Sequence, residues 1–271
     1  MPFLQHGPVN LYYEIHGSNT TNPPVILSHG FSSTSAMWQP QISTLSAHNR
    51  LMIWDMRGHG RTTCPLDQSL YNEAYTISDM HLLLTTLFPS DSKFIVGGLS
   101  LGGYMSLAFY NAYPDLVRAL LIISTGPGFK SPKAREQWNQ TAYAQADRFE
   151  KEGLKSLQNL SPERSSVTHE DTSGKSLALA ARGMLSQHTP GVIEGLCGIK
   201  VPSLIVLGSE DKPFIGAGAY MEKKIRGTRK VVLKGAGHAS NIDDVEGFNR
   251  AVVGFLQEQG LSGSGGGRPK L

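Results

Sequence analysis

Gly98-Leu99-Ser100-Leu101-Gly102-Gly103 is the stretch that decides the fold. It joins a short apolar run, residues 93–96, to residues 101–113, whose apolar positions recur at helical spacing before Pro114 stops them. A G-x-S-x-G sequence carries meaning only in such a strand-to-turn-to-helix setting. The turn has to be tight, so the positions two before and two after the serine must be small, and Gly98 and Gly102 satisfy this. Ser100 is then expected at the carboxyl end of a strand with its hydroxyl exposed. The helix N-terminus behind it favours negative charge. The competing reading is a glycine-rich turn whose serine merely caps the helix.

The flanking chain repeats the strand-helix rhythm. Short apolar runs at 25–28 and 51–54 suit buried parallel strands, residues 118–123 read as a further strand, and residues 9–15 read as an outer strand. Residues 75–88 carry Ile77, Met80, Leu83, Leu84 and Leu87 at helical spacing, with Pro89 beyond the end. Alternation of this kind implies crossover units and a mostly parallel sheet flanked by helices. It breaks between 126 and 190, which is polar and helix-favouring, with helices expected at 134–151 and 176–184 and a polar connection at 161–173. It resumes with strands at 203–207 and 230–233 and helices at 217–225 and 245–257. The expected organisation is an α/β core from 1–125 and 191–259, a helical cap at 126–190, and a flexible tail at 260–271.

Composition limits the function. The 271 residues suffice for one large core. The net charge is only +3, and Arg268 and Lys270 in the tail supply two of those charges. No basic stripe interleaves with aromatics, which argues against nucleic-acid binding. Cys64 and Cys197 are far apart and lack metal-ligand spacing, so they are expected to be free thiols in a reducing compartment. Residues 1–7 lack the basic and apolar regions of a signal peptide, and no run reaches the length of a membrane span.

The order His29-Gly30-Phe31, Asp55-Met56-Arg57-Gly58-His59-Gly60, Gly98-Leu99-Ser100-Leu101-Gly102-Gly103, Gly208-Ser209-Glu210-Asp211 and Gly237-His238 resembles the α/β-hydrolase family. The similarity covers roughly residues 9–257. It is strongest to the small cofactor-free branch of enol-lactone hydrolases, carboxylesterases and carbon–carbon bond hydrolases. The resemblance implies the α/β-hydrolase fold, with the cap inserted after the sixth family strand. It implies Ser100 as nucleophile, His238 as base and Asp211 as the acid that orients it, in the chain order Ser, Asp, His. Glu210 is the local rival to Asp211, while Asp243 and Asp244 are expected to begin the last helix. The oxyanion donors are expected to be the backbone N–H groups of Phe31 and Leu101. His29 and His59 belong to loop motifs that read as structural, with Asp55 and Arg57 as a possible local pair. Thr62 stands where the family often has a serine. His6, His16, His48, His81, His169 and His188 read as surface or packing residues.

The implied chemistry is acyl transfer to water from a small-molecule ester, lactone or thioester, with no metal or cofactor. The same residues would also serve carbon–carbon cleavage or acyl transfer to another acceptor, and a non-catalytic binding module would keep the same fold. Trp138, Tyr143, Phe149, Leu177 and Met184 are candidate pocket residues. The C-terminal Pro269-Lys270-Leu271 resembles a peroxisomal Ser-Lys-Leu signal, which would make an import receptor a partner; the alternative address is cytoplasmic. The Gly/Ser-rich lead before it also has the look of a plain linker.

Overall fold

The computed structural model describes residues 2–18, 20–157 and 172–263. The chain starts with β1 (Phe3–His6), β2 (Val9–His16), β3 (Val25–Ser28), α1 (Gln39–Ser46), β4 (Leu51–Trp54), α2 (Glu73–Leu87), β5 (Phe94–Leu99), α3 (Leu101–Ala112) and β6 (Val117–Ile123). Then come α4 (Pro132–Glu152), α5 (Gly174–Ala180) running into a π-helical turn (Ala181–Leu185), and α6 (Gly191–Gly195). The chain returns to the sheet with β7 (Ser203–Gly208), α7 (Lys212–Lys224), β8 (Arg229–Leu233), α8 (Ser240–Asp243) and α9 (Val245–Glu258).

The eight strands form one sheet in the order β1-β2-β4-β3-β5-β6-β7-β8. The β1–β2 and β2–β4 pairings are antiparallel and all others are parallel. Every residue of β3, β4 and β5 is buried, which is why these strands read as unbroken apolar runs rather than alternating ones. Successive side chains feed opposite faces. Ile26, Met52 and Val96 pack with Met80, Leu83 and Phe109 of α2 and α3. Val25, Leu27 and Ile95 pack with Leu45, Phe248 and Phe255 of α1 and α9. Each such side chain contributes roughly 1.5–3 kcal/mol by leaving water.

The direction of winding reverses at β3, which has β4 on one side and β5 on the other. In a wound sheet the crevice outside the carboxyl ends of such strands is the natural binding place. The loop His29-Gly30-Phe31 leaves β3 there, and Ser100 leaves β5 beside it.

Some expectations need correction. β1 went unread because its burial alternates between exposed and half-buried, with no apolar run. The helix expected over 217–225 starts at Lys212, with Pro213 in its first turn, where a missing N–H costs nothing. Asp55 and Arg57 do not pair. Arg57 reaches α2 instead, donating from Nε and Nη2 to Asp79 at 2.6 and 2.8 Å. The Asp55 oxygens are taken by the N–H groups of Ser35 and Arg61. Cys64 and Cys197 are free. No helix among the described residues is long and apolar enough to cross a membrane. The C-terminal tripeptide, His169 and most of the 161–173 connection lie outside the described residues.

Candidate active site

Ser100 has φ 53° and ψ −114°, a left-handed conformation at a residue with a side chain. Holding a non-glycine residue there costs on the order of 1–3 kcal/mol, so the surroundings must impose it. Two backbone approaches do so. A Cβ on Gly98 would lie 2.5 Å from the Ser28 carbonyl oxygen, and one on Gly102 would lie 2.2 Å from the same atom. The Ser100 N–H donates to Ile123 O, and Thr125 Oγ1 donates to Ser100 O, which ties the turn to the end of β6. Ser100 makes no side-chain capping bond to α3. That removes the reading of the serine as a helix cap and leaves its hydroxyl available.

Asp211 follows β7 and His238 follows β8. His238 Nδ1 and Asp211 Oδ2 are 2.9 Å apart, and the Asp211 side chain is buried. A carboxylate at Nδ1 calls for the proton on that nitrogen, which leaves Nε2 as the basic one. The His238 ring stacks on Phe214 with centroids 5.0 Å apart. The rival carboxylates are occupied elsewhere. Glu210 accepts from the Ser209 hydroxyl, Asp243 from the Gly237 N–H, and Asp244 caps α9 through Gly247. The two loops are joined by Glu210 N–H donating to Ala236 O.

The loop after β3 is held by two buried histidines. His29 Nε2 accepts the N–H of Met56, and its Nδ1 lies 2.7 Å from Gly30 O. His59 Nε2 accepts the N–H of Ser32, and its Nδ1 lies 2.9 Å from Arg57 O. Each ring therefore donates to a carbonyl through Nδ1 and accepts through Nε2, which requires the neutral form. Burial pushes His29 down to about 4 and His59 down to about 3, the latter lowered further by its neighbour His29. The Phe31 ring sits edge-on to His59 and Phe149. The Leu101 N–H opens α3, where the first amides have no partner inside the helix.

Ser100 lines two adjoining cavities. The larger, about 280 Å³, is walled mainly by Leu101, Phe129, Trp138, Leu185 and Phe214. The smaller, about 220 Å³, brings Ser100 together with Gly30, Phe31 and His238. No Lys, Arg, Asp or Glu lines either one among the described residues. No group of three or more His, Cys, Asp or Glu side chains among the described residues is placed to hold a metal ion.

The model of the alpha/beta hydrolase fold family matches residues 23–191, more than half of the chain. The chain belongs to the α/β-hydrolase family. A Bacillus subtilis protein named, provisionally, a 2-succinyl-6-hydroxy-2,4-cyclohexadiene-1-carboxylate synthase is 27% identical over 89% of this chain and 92% of its own. The 3-oxoadipate enol-lactonase 1 of Acinetobacter baylyi is 26% identical over 91% of this chain and 93% of its own. The structure of MenH from S. aureus shares the fold with a TM-score of 0.81 at 22% identity, covering 92% of this chain and 98% of that one.

Of the side chains expected to line this hydrolase's pocket, only Trp138 does. Phe149, Leu177 and Met184 are buried in the core, and Tyr143 faces a separate open groove with His188. Periodicity marks a helix face as apolar without saying whether core or cavity receives it. Phe129, Leu185, Gln187 and Phe214 line the cavities without having been foreseen. Phe214 alone had a signal, three residues beyond Asp211. Of the other histidines, His6 pairs with Asp79, His16 with Glu14 and His188 with Ser186, and His81 packs on Tyr113.

Proposed function

We propose that this α/β hydrolase cleaves a small to medium, uncharged ester, lactone or thioester through Ser100, His238 and Asp211. One observation carries the reading: a strained serine with an unused hydroxyl shares a cavity with a histidine whose other nitrogen is held by a buried carboxylate. His238 Nε2 takes the Ser100 proton as Oγ bonds to the carbonyl carbon. The N–H groups of Phe31 and Leu101 receive the oxyanion. The intermediate collapses, and the leaving oxygen or sulfur departs with the proton from His238. Water then gives a proton to His238 and attacks the acyl-enzyme, and the acid leaves as Ser100 recovers its proton. Asp211 holds the ring and balances its transient charge.

The larger cavity suits the acyl group. The smaller one, with His238 and the oxyanion loop, suits the departing group and incoming water. A cavity of this size whose lining, among the described residues, has no ionic side chain supports an uncharged acyl group. A carboxylate there would lose its hydration with no cationic side chain among the described lining residues to compensate it. That separates this chain from relatives whose names carry a carboxylate or an adipate. Residues 126–190 supply Trp138, Leu185 and Gln187 to the cavity, which supports their reading as a cap over the core.

The test pairs fluorophosphonate labelling with a panel of short p-nitrophenyl esters, thioesters and β-diketones. Wild type should label at Ser100 and turn over the esters, and S100A should do neither. A folded wild-type protein that stays unlabelled and inert would overturn the reading. Turnover confined to the diketones would move it to carbon–carbon cleavage.

A further inference from the structure

Besides the Ser100 hydroxyl, one polar group on the wall of the larger cavity is buried without a partner among the described residues. Thr125 Oγ1 donates to Ser100 O, Trp138 Nε1 donates to Leu185 O, and Tyr104 OH donates to Glu73. Gln187 also lines the cavity, and its Oε1 is buried without a hydrogen-bond partner. The residue is 8% exposed. Buried carboxamides are nearly always paired, and an orphan acceptor in a folded interior weakens the fold. A leucine or methionine of similar size would fit this apolar wall without that penalty.

The backbone that carries this side chain is held in place. Gln187 N–H donates to Asn139 Oδ1 at 2.7 Å, and Gln187 O accepts from Asn139 Nδ2 at 2.9 Å. Asn139 is itself buried on α4. Across the cavity wall, Gly128 has φ 85°, and a Cβ there would stand 2.6 Å from Gln187 Oε1. The site thus keeps a glycine where the carboxamide needs room. A rigid backbone, a reserved space and an unsatisfied acceptor are the parts of a preorganised recognition group.

We propose that Gln187 sets the substrate class of the acyl cavity by accepting a hydrogen bond from an N–H or hydroxyl on an otherwise apolar, uncharged acyl group. This rests on reading the cavity as the acyl site of a Ser100 hydrolase. It adds a requirement that the apolar walls do not impose. A site built around such an acceptor discriminates against analogues without the donor, because its buried group is then left unpaired.

The experiment uses three methyl esters of matched length: pentanoate, 4-oxopentanoate and N-acetylglycinate. The last two differ only in a CH₂ replaced by N–H. Their binding to S100A is measured by calorimetry, with Gln187 intact and with Gln187→Leu or Gln187→Met added. With Gln187 intact, N-acetylglycinate should bind about tenfold tighter than 4-oxopentanoate, the scale of one well-placed hydrogen bond. In either double variant the ratio should fall to within about twofold of unity, with pentanoate bound as well as before or better. Equal binding of the two esters with Gln187 intact, or a preference that survives both substitutions, would overturn the proposal. Because S100A cannot turn over, these arms read Gln187 even if wild type fails the labelling test. The two readings therefore fail separately, and thermal melts of the double variants verify that each is folded.

Discussion

His59 Nε2 accepts the backbone N–H of Ser32 at 3.0 Å, fastening the residue after Phe31 to a ring twenty-seven positions away in sequence. The loop expected to supply an oxyanion donor is therefore shaped by a histidine that touches no substrate. Protonation would put a second N–H against the first and break the contact. His29 makes the reciprocal bond to Met56 N–H.

Acid should consequently unfold this protein through these two rings. Both have folded-state values below the unfolded value of about 6.5, at about 4 and about 3. Between those values and 6.5 the unfolded chain binds more protons. Stability is thus complete above about pH 6.5 and falls as pH drops through that window. Asp55, whose carboxyl burial pushes up, acts in the opposite sense and offsets part of the loss. Urea melts from pH 7 to 4 should show the decline, and His59→Gln should flatten it while lowering stability at pH 7. An unchanged slope in the variant would show that other groups dominate.

Asp211→Asn should lower kcat by about 10³–10⁴ with KM little changed, because the His238 tautomer is then wrong. Glu210→Gln should stay within about threefold of wild type, since the Glu210 carboxylate accepts from the Ser209 hydroxyl and not from His238. Steady-state kinetics on the best ester of the panel decide between the two acids.

The Arg57–Asp79 pair is buried on both sides, with side chains 2% and 0% exposed. Arg57→Met leaves a buried charge with only His6 nearby and should cost about 3–5 kcal/mol. Arg57→Met with Asp79→Leu should recover most of that loss. Chemical denaturation of the three proteins measures it.

Gly102→Ala should fail to fold or lose at least ~3 kcal/mol, because its methyl would meet the backbone of Ser28 and His29. Gly254→Ala on α9 meets open space and should stabilise by about 0.4–1 kcal/mol. Thermal melts of the two, run together, separate backbone collision from a generic glycine effect.

The localisation reading rests on Pro269-Lys270-Leu271 alone, and the bacterial relatives lend it no support. A fluorescent protein ending in residues 260–271 should enter peroxisomes if the tripeptide is read, and deleting the last three residues should return it to the cytosol. Diffuse fluorescence from both would end that reading.

The placement of the candidate residues was legible where loops leave strand ends. Ser100, Asp211 and His238 each follow a strand at the same sheet edge, and the resemblance of their loops to family motifs is what named them together. The cavity walls were not legible. Met184 and Leu177 carry the same apolar signature as Leu185, yet they turn into the core. A π-helical turn shifts the register there by one residue, which no 3.6-residue periodicity anticipates. Arg57 misled because Asp55 is close in sequence, whereas the matching carboxylate is 22 residues on. Gln187 lies in a non-periodic stretch, and nothing in composition sets it apart from other polar residues.

Trp138 and Asn139 are consecutive on α4, and between them they bind Leu185 O and both backbone polar atoms of Gln187. Two residues of cavity wall, Leu185 and Gln187, are thus suspended from one helix. Any displacement of α4 against the sheet carries the wall with it as a rigid piece, and the bonds within that piece need not be remade. On the proposed acyl chemistry, widening the passage for a departing acid and loosening the grip on its acyl chain then become a single movement.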